Sequence, residues 1–285
     1  MFLPAIAYYV VFKYLPIYGV QIAFKDYSIR KGILGSDWVG LKHFITMFKK
    51  PSFFRVFSNT FILSGLNLAF GFPAPIILAL LLNEVRGGVF KKFVQTVSYL
   101  PHFLSWVMLS GIFIQLLSPS IGPIGELFRM LGWEPVLFMG DSRYFRGTLV
   151  VTGIWKGVGW GSIIYLASIA GIDQEQYEAA TVDGANRFQK IVHITLPGIM
   201  PVICMQLIFA VGGLAGSNFD QVYNMYSPIV YDVADVIGTY TYREGIGGMK
   251  YSYTAAVGLF QNTISIILIV TSNMLVKRVN EYGIW

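Results

Sequence analysis

Three histidines, one cysteine, 15 carboxylates and 21 Lys and Arg residues are the groups with which this chain of 285 residues could do chemistry. Their spacing excludes most of it. His43, His102 and His193 stand far apart, without the short spacings that a metal site needs. Cys204 is alone, so neither an intrachain disulfide nor a multi-cysteine metal site can form, and its apolar neighbours point to packing. No Gly-Lys dipeptide occurs, which rules out a G-x-x-x-x-G-K-[ST] phosphate loop. No cluster of His, Asp or Glu gathers in a spacing suited to general acid–base work. What remains is recognition chemistry in two places. One is the run YEAATVDGANRFQKIVHITLP at 177–197, where Glu178 and Asp183 stand among small residues. The other is Lys156, a charge inside the apolar run 147–172 beside Gly153, Gly157 and Gly161, with the polar Asp220 and Gln221 at the mouth of a later run.

These residues belong to a chain that is 55% apolar and only 13% charged, with positive mean hydropathy, whereas charged residues make up about a quarter of a soluble domain. Apolar runs near 2–24, 60–82, 96–117, 147–172, 196–216 and 255–276 each match the ~20 residues that a helix needs to cross about 30 Å of hydrocarbon. The fold expected is all-α: a polytopic membrane protein with six transmembrane helices, one domain over 1–285. Lipid offers no partner for an unpaired backbone group, and the runs are too long and too uniformly apolar for barrel strands. The opening MFLPAIAYYV lacks the basic n-region and cleavage site of a signal peptide and reads as the first span. Six spans place both ends on one side. The side with 83–95, 173–195 and the C-terminus holds 7 Lys and Arg, the other side 12, seven of them in 25–59 alone. The positive-inside rule therefore hangs on one loop and does not decide the orientation.

Asp173, with Gln176 three residues on, has the pattern of an acidic N-cap, and Glu175 complements the positive end of a helix. A short helix from Gln174 should stop at Asp183-Gly184, where glycine permits positive φ. Phe188, Ile191 and Val192 then recur at helical spacing before Pro197 opens the next span. The result is two short helices with a bend. Ala179, Ala180, Gly184 and Ala185 leave its surface open to another protein's backbone, and Glu178 and Asp183 add fixed negative points. A solvated loop rich in helix formers has the same composition.

The order Glu178-Ala179-Ala180, then Asp183-Gly184-Ala185, then Ile194-Thr195-Leu196-Pro197 resembles the EAA loop of permease subunits in binding-protein-dependent ABC importers. The runs YGVQIAFKDY, NTFILS, YLPHFLSWV, GIWKGVGWGSIIYLA and NFDQVYNMYSPIVYDVADVIGTYTYREG extend the likeness over essentially the whole chain. They are similar to the carbohydrate class, in particular the subgroup found with polysaccharide-degrading systems, such as the alginate importer permease. The resemblance implies the type I ABC importer permease fold, with 173–195 as a cytoplasmic coupling loop seated in a cleft of an ATPase subunit. Glu178, Ala179, Ala180, Asp183, Gly184 and Ala185 would be the ATPase-coupling positions. It further implies the bacterial cytoplasmic (inner) membrane, both termini cytoplasmic, and a basic leader ahead of the first span in family relatives. The implied partners are a second permease subunit in a heterodimer, two ATP-binding subunits, an extracytoplasmic solute-binding protein and membrane lipid. ATP and Mg would sit on the ATPase subunits, with no cofactor in this chain.

In the fourth span Gly153, Gly157 and Gly161 recur every four residues, a face on which another helix can pack closely. Lys156 lies beside that face near midspan, where a charge costs about 2.5 to 3.5 kcal/mol on insertion scales, so it should face protein or water. By resemblance to the maltose-importing permease, Gly153, Lys156, Gly157 and Trp160, with Asn218, line up with positions that line the sugar site. The lysine replaces an aliphatic residue there and Gly153 a polar one, which implies a different sugar. An ammonium would suit a carboxylate-bearing saccharide such as a uronate oligomer, and Trp155 and Trp160 a sugar's apolar face. A buried pair between Lys156 and a carboxylate, Asp220 or one on the other permease subunit, is the alternative. Asp220 and Gln221 read as pathway residues or as an interfacial cap. Lys13 poses the same puzzle in the first span, with snorkelling open. The tyrosines of 217–254 read as an aromatic belt, or as contacts for a sugar or the solute-binding protein, for which 25–59 is a second surface. Arg86, Lys91 and Lys92 suit anionic lipid, and nothing supports nucleic-acid binding.

The function expected is a permease subunit of an ATP-driven importer of oligosaccharides, with acidic alginate- or pectin-derived chains favoured by Lys156. It would work by alternating access and catalyse no bond change itself. An ion-coupled secondary transporter of a small polar solute is the second reading. It should show inverted repeats, none of which is clear, and it leaves the polar loop unexplained. A multispan enzyme acting on lipid-linked sugars is a third, and the lack of an acid–base cluster stands against it.

Overall fold

The computed structural model describes residues 2–85, 87–216 and 218–280; Arg86, read above as a lipid contact, and the C-terminal end lie outside them. Five helices among the described residues are long and apolar enough to cross a membrane, and a sixth span is a pair bent by 106°. In chain order the main elements are α1 (Leu3–Phe24), α2 (Pro51–Glu84), the bent pair α3 (Val89–Phe103) and α4 (Trp106–Leu116), and α5 (Ser142–Ala170). A short α6 (Gln174–Val182) follows, then α7 (Arg187–Ala215), a second short helix α8 (Phe219–Met225), and α9 (Tyr251–Asn280).

Proline sets the irregular pitch. Pro16, Pro73 and Pro197 each lack the N–H that would bond four residues back, and each stands two residues after a turn widened to π spacing. Those turns are Val10–Tyr14, Asn67–Gly71 and Ile191–Thr195. Pro197 therefore opens no new helix: it and Pro201 lie inside α7, and the second half of the expected elbow is continuous with the fifth span. The third span also departs from expectation. It is broken at Leu104, whose backbone is extended, and restarts where the Ser105 hydroxyl accepts from the Met108 N–H at 3.3 Å.

One buried cluster lies where α2, α5 and α7 meet, through Ala79, Tyr165, Ile169 and Ile199. Cys204 packs with Ile208 and Val276 between α7 and α9. Gly159 of α5 lies against the backbone of α3 so closely that a Cβ would overlap the Ser98 carbonyl. Within 217–254, expected as a connecting loop, residues 218–254 form a folded cap. Val230, Ala234, Val236 and Ile237 are at most 1% exposed, and the Ile237 N–H donates to the Thr60 hydroxyl of α2 at 2.9 Å. Tyr240 and Tyr253 are core residues joined through their hydroxyls at 2.9 Å, whereas Tyr223 and Tyr242 remain exposed. A two-stranded ribbon, Lys25–Asp26 against Asp37–Trp38, is the one addition to the helical plan among the described residues. Residues 3–18 of α1, Lys13 included, are exposed along their whole length.

Candidate functional site: a cavity between the spans and a capped elbow

The spans α2, α5 and α7 do not close completely. With the α3–α4 break and the start of α8 they enclose a cavity of about 890 Å³, within the range of sites that hold a compact organic ligand. It brings together six residues that the sequence singled out: Gly153, Lys156, Gly157, Trp160, Asn218 and Gln221. Asp220 is exposed and outside the lining. Trp155 also points elsewhere, its ring edge-on to Phe113 at 5.6 Å. The glycine ladder divides by position. Gly161 packs on Pro75, Gly157 faces open space, and a Cβ on Gly153 would stand 3.5 Å from the Gln221 amide and 3.8 Å from Asn67 Oδ1. Tight helix packing falls instead on Gly159, one position that the four-residue pattern passes over.

Lys156 reaches across to the broken span. Its Nζ donates to the carbonyls of Leu104 at 2.7 Å, His102 at 2.8 Å and Pro101 at 3.3 Å. The His102 and Leu104 carbonyls are orphans that a helix end leaves behind, whereas that of Pro101 also accepts from the Leu104 N–H at 3.2 Å, and a cation is favoured there. An ammonium has three donors, and all three are engaged. Neither Asp220 nor any other carboxylate lines the cavity among the described residues. Trp160 stacks on His102, centroids 4.5 Å apart and planes within 3°, so His102 covers one face of the indole. Gln221 is 1% exposed and uses its Nε2 on the Leu149 carbonyl at 2.7 Å and the Thr152 hydroxyl at 3.0 Å.

The cap over the N-terminal ends of α2 and α5 is held by charge. Asp235, 5% exposed, pairs with Arg243 at 2.5 Å, and that hydrogen bond holds the guanidinium above its ordinary pKa. Arg146 donates to Asn59 Oδ1 at 2.7 Å, and Asn59 in turn donates to the Asp232 and Asp235 carbonyls. Sequence reasoning missed this network, because its members are far apart in the chain.

The elbow at 173–195 has a fixed geometry. Asp173 caps α6 by accepting from the Glu175 N–H at 3.0 Å, a simpler cap than the reciprocal pair expected with Gln176. At the other end the Ala185 N–H bonds back to the Ala180 carbonyl and the Gly184 N–H to that of Thr181, with Gly184 at φ +77°, a Schellman turn. Asn186 and Gln189 then form a capping box that starts α7. Two cross-links hold the arms together, Lys190 Nζ to the Thr181 hydroxyl at 2.6 Å and Tyr177 to Thr195 at 3.0 Å. Glu178, Ala179, Asp183 and Gly184 are exposed, with Ala180 and Ala185 half-buried at the bend. Val182 and Phe188 stand 89% and 73% exposed beside them, an apolar pair that the small-residue reading did not single out as surface.

A model of the family described as binding-protein-dependent transport system inner membrane component matches residues 71–281. Protein LplB of Bacillus subtilis (strain 168) is 45% identical over 285 residues, 100% of this chain and 90% of LplB. The polygalacturonan/rhamnogalacturonan transport system permease protein YteP of the same organism is also 45% identical over 285 residues, covering 100% of this chain and 89% of YteP. Among solved structures, a bacterial ABC transporter involved in the import of the acidic polysaccharide alginate superposes with a TM-score of 0.91 at 40% identity, covering 98% of this chain and 94% of that one. The bacterial alginate ABC transporter in complex with alginate pentasaccharide-bound periplasmic protein gives 0.92 at 39% identity, covering 100% and 95%.

Proposed function

The chain belongs to the inner membrane components of binding-protein-dependent transport systems, and we propose that within this family it imports oligosaccharides derived from acidic polysaccharides. It is an ABC importer permease, a transport subunit and not itself an enzyme. The observation that carries the substrate reading is the cavity between the spans. It is large enough for sugar rings and has an aromatic wall at Trp160. Its lining has one ammonium and, among the described residues, no carboxylate to repel an anionic chain. The similarity to permeases for polygalacturonan and alginate supports the same chemical class.

In this reading Gly153, Gly157, Trp160, Asn218 and Gln221 line the pathway, and Lys156 fixes the shape of one wall. Glu178, Ala179, Ala180, Asp183, Gly184 and Ala185 form the surface that docks on an ATPase subunit. A rigid elbow suits that task, since a coupling element has to transmit displacement and not absorb it. ATP and Mg then belong to two partner ATPase subunits, and a second permease subunit covers the exposed α1 and completes the pathway. A solute-binding protein delivers the sugar from the side of the 218–254 cap. Residues 173–195 and both termini face the cytoplasm, where Lys91 and Lys92 meet anionic lipid.

Proteoliposomes containing this chain, its second permease and its ATPases test the proposal. Uptake of oligogalacturonate or oligoalginate should require both internal ATP and the binding protein. Uptake driven by an ion gradient without ATP would replace this reading with a secondary transporter.

A further inference from the structure

We infer that the cavity recognises its saccharide through a set of side-chain amides that read hydroxyl groups, with Asn67 and Gln206 as specificity-determining residues, and not through the ammonium of Lys156. The inference rests on the permease reading above and deepens it.

Charge is unavailable for contact. Lys156 is the only formally charged side chain in the lining among the described residues, and its three donors are held by the Pro101, His102 and Leu104 carbonyls. Carboxamides are abundant instead: Asn67 from α2, Gln206 from α7, and Asn218 and Gln221 from the start of α8. Gln221 has both Nε2 hydrogens placed, which leaves Oε1 as an acceptor. The side chains of Asn67 and Gln206 have no hydrogen-bond partner among the described residues. Both side chains are half-buried and open to the cavity, so their donors and acceptors are free to meet a polar occupant.

The backbone aims one of them. Asn67 opens the π turn imposed by Pro73, and its carbonyl accepts from the Phe72 N–H at 3.0 Å. π turns of this kind place a side chain where a regular helix would not. Opposite, Gly153 carries no side chain, and the space its Cβ would fill lies 3.8 Å from Asn67 Oδ1 and 3.5 Å from Gln221 Nε2 and Oε1. With no side chain at Gly153, a hydroxyl group can enter between the two amides, donating to a carboxamide oxygen and accepting from a carboxamide nitrogen. Sugar hydroxyls, donors and acceptors at once, can use both ends of each amide, whereas a carboxylate, which only accepts, can use the nitrogen alone. One turn along α5, Gly157 leaves open space for the body of the ring. Gln206 offers a further amide from a third side.

The test uses the complete transporter in proteoliposomes, with an oligosaccharide that it imports and analogues of it each lacking one hydroxyl. Affinity of the binding protein for each analogue is measured separately and divided out. Wild type should import at least one deoxy analogue about three- to tenfold more slowly than the parent, the worth of one neutral hydrogen bond. Asn67→Ala should slow the parent by a similar factor and no longer distinguish the two. Co-purification with the ATPase subunits checks assembly, and Gln206→Ala, read the same way, serves should Asn67→Ala not assemble. Equal discrimination in wild type and in the assembled variants, or none in wild type, overturns the inference. Absence of any ATP-driven oligosaccharide uptake by wild type overturns the permease reading, and this inference with it.

Discussion

The ammonium of Lys156 donates to the Leu104 carbonyl at 2.7 Å, across the break between α3 and α4. A charge that the sequence offers as a substrate contact is thereby a brace for a bent span. Replacing it with leucine leaves the His102 and Leu104 carbonyls unpaired, at a cost of about 2 kcal/mol after allowance for partial exposure. Lys156→Leu should lower the unfolding temperature of the purified complex and reduce import of neutral and acidic oligosaccharides by the same factor. Lys156→Arg should recover part of both. Selective loss of acidic substrates at unchanged thermal stability would show that the lysine meets a sugar carboxylate after all.

Gly159 and Gly157 are two residues apart on α5 but face different surroundings. A methyl group on Gly159 would overlap the Ser98 carbonyl of α3, whereas one on Gly157 would meet nothing within 4 Å. Gly159→Val should therefore destabilise the fold by about 1–3 kcal/mol or prevent insertion. Gly157→Val should insert normally while narrowing the cavity. Thermal melts of the two variants in detergent, run beside wild type, decide the matter, and equal melting points would contradict the packing described.

The Arg243–Asp235 pair secures the cap over the N-terminal ends of α2 and α5. Breaking a buried ion pair from one side costs about 3–5 kcal/mol, reduced here because the Arg243 side chain is 36% exposed. Arg243→Gln should cost roughly 2 kcal/mol and speed amide hydrogen exchange across 230–243, including the Ile237 N–H that Thr60 accepts. Exchange confined to wild-type rates in that segment would mean that apolar packing alone holds the cap.

How far the sequence carried depends on the range of the interaction. Hydropathy located every span, because about 20 consecutive apolar residues leave few alternatives, and local capping placed the ends of α6 at Asp173 and Gly184. The break at Leu104 escaped a window that averages over its neighbours, although Pro101 and Ser105 mark it in LPHFLS. The role of Lys156 was illegible for a different reason: its partners are backbone carbonyls more than 50 residues away, and a backbone carbonyl has no letter in the sequence. Asn67 was missed because an amide in an apolar run looks like a tolerated exception until the cavity beside it is seen.

The elbow yields a prediction that separates backbone geometry from contact. Gly184 sits at φ +77°, where an L side chain costs about 1–2 kcal/mol, β-branched residues fare worst, and asparagine is tolerated. Gly184→Val should disrupt the Schellman turn and shift Val182 and Phe188, the exposed apolar pair beside it. Gly184→Asn should keep the turn and place only a small polar group on the surface. If the elbow docks on an ATPase, the valine variant and Glu178→Lys should hydrolyse ATP with little sugar imported per ATP, and the asparagine variant should stay close to wild type. All three should insert, since none lies within a span. Counting sugar imported per ATP hydrolysed in proteoliposomes provides the measure, and wild-type coupling in both Gly184→Val and Glu178→Lys would remove the docking role from this elbow.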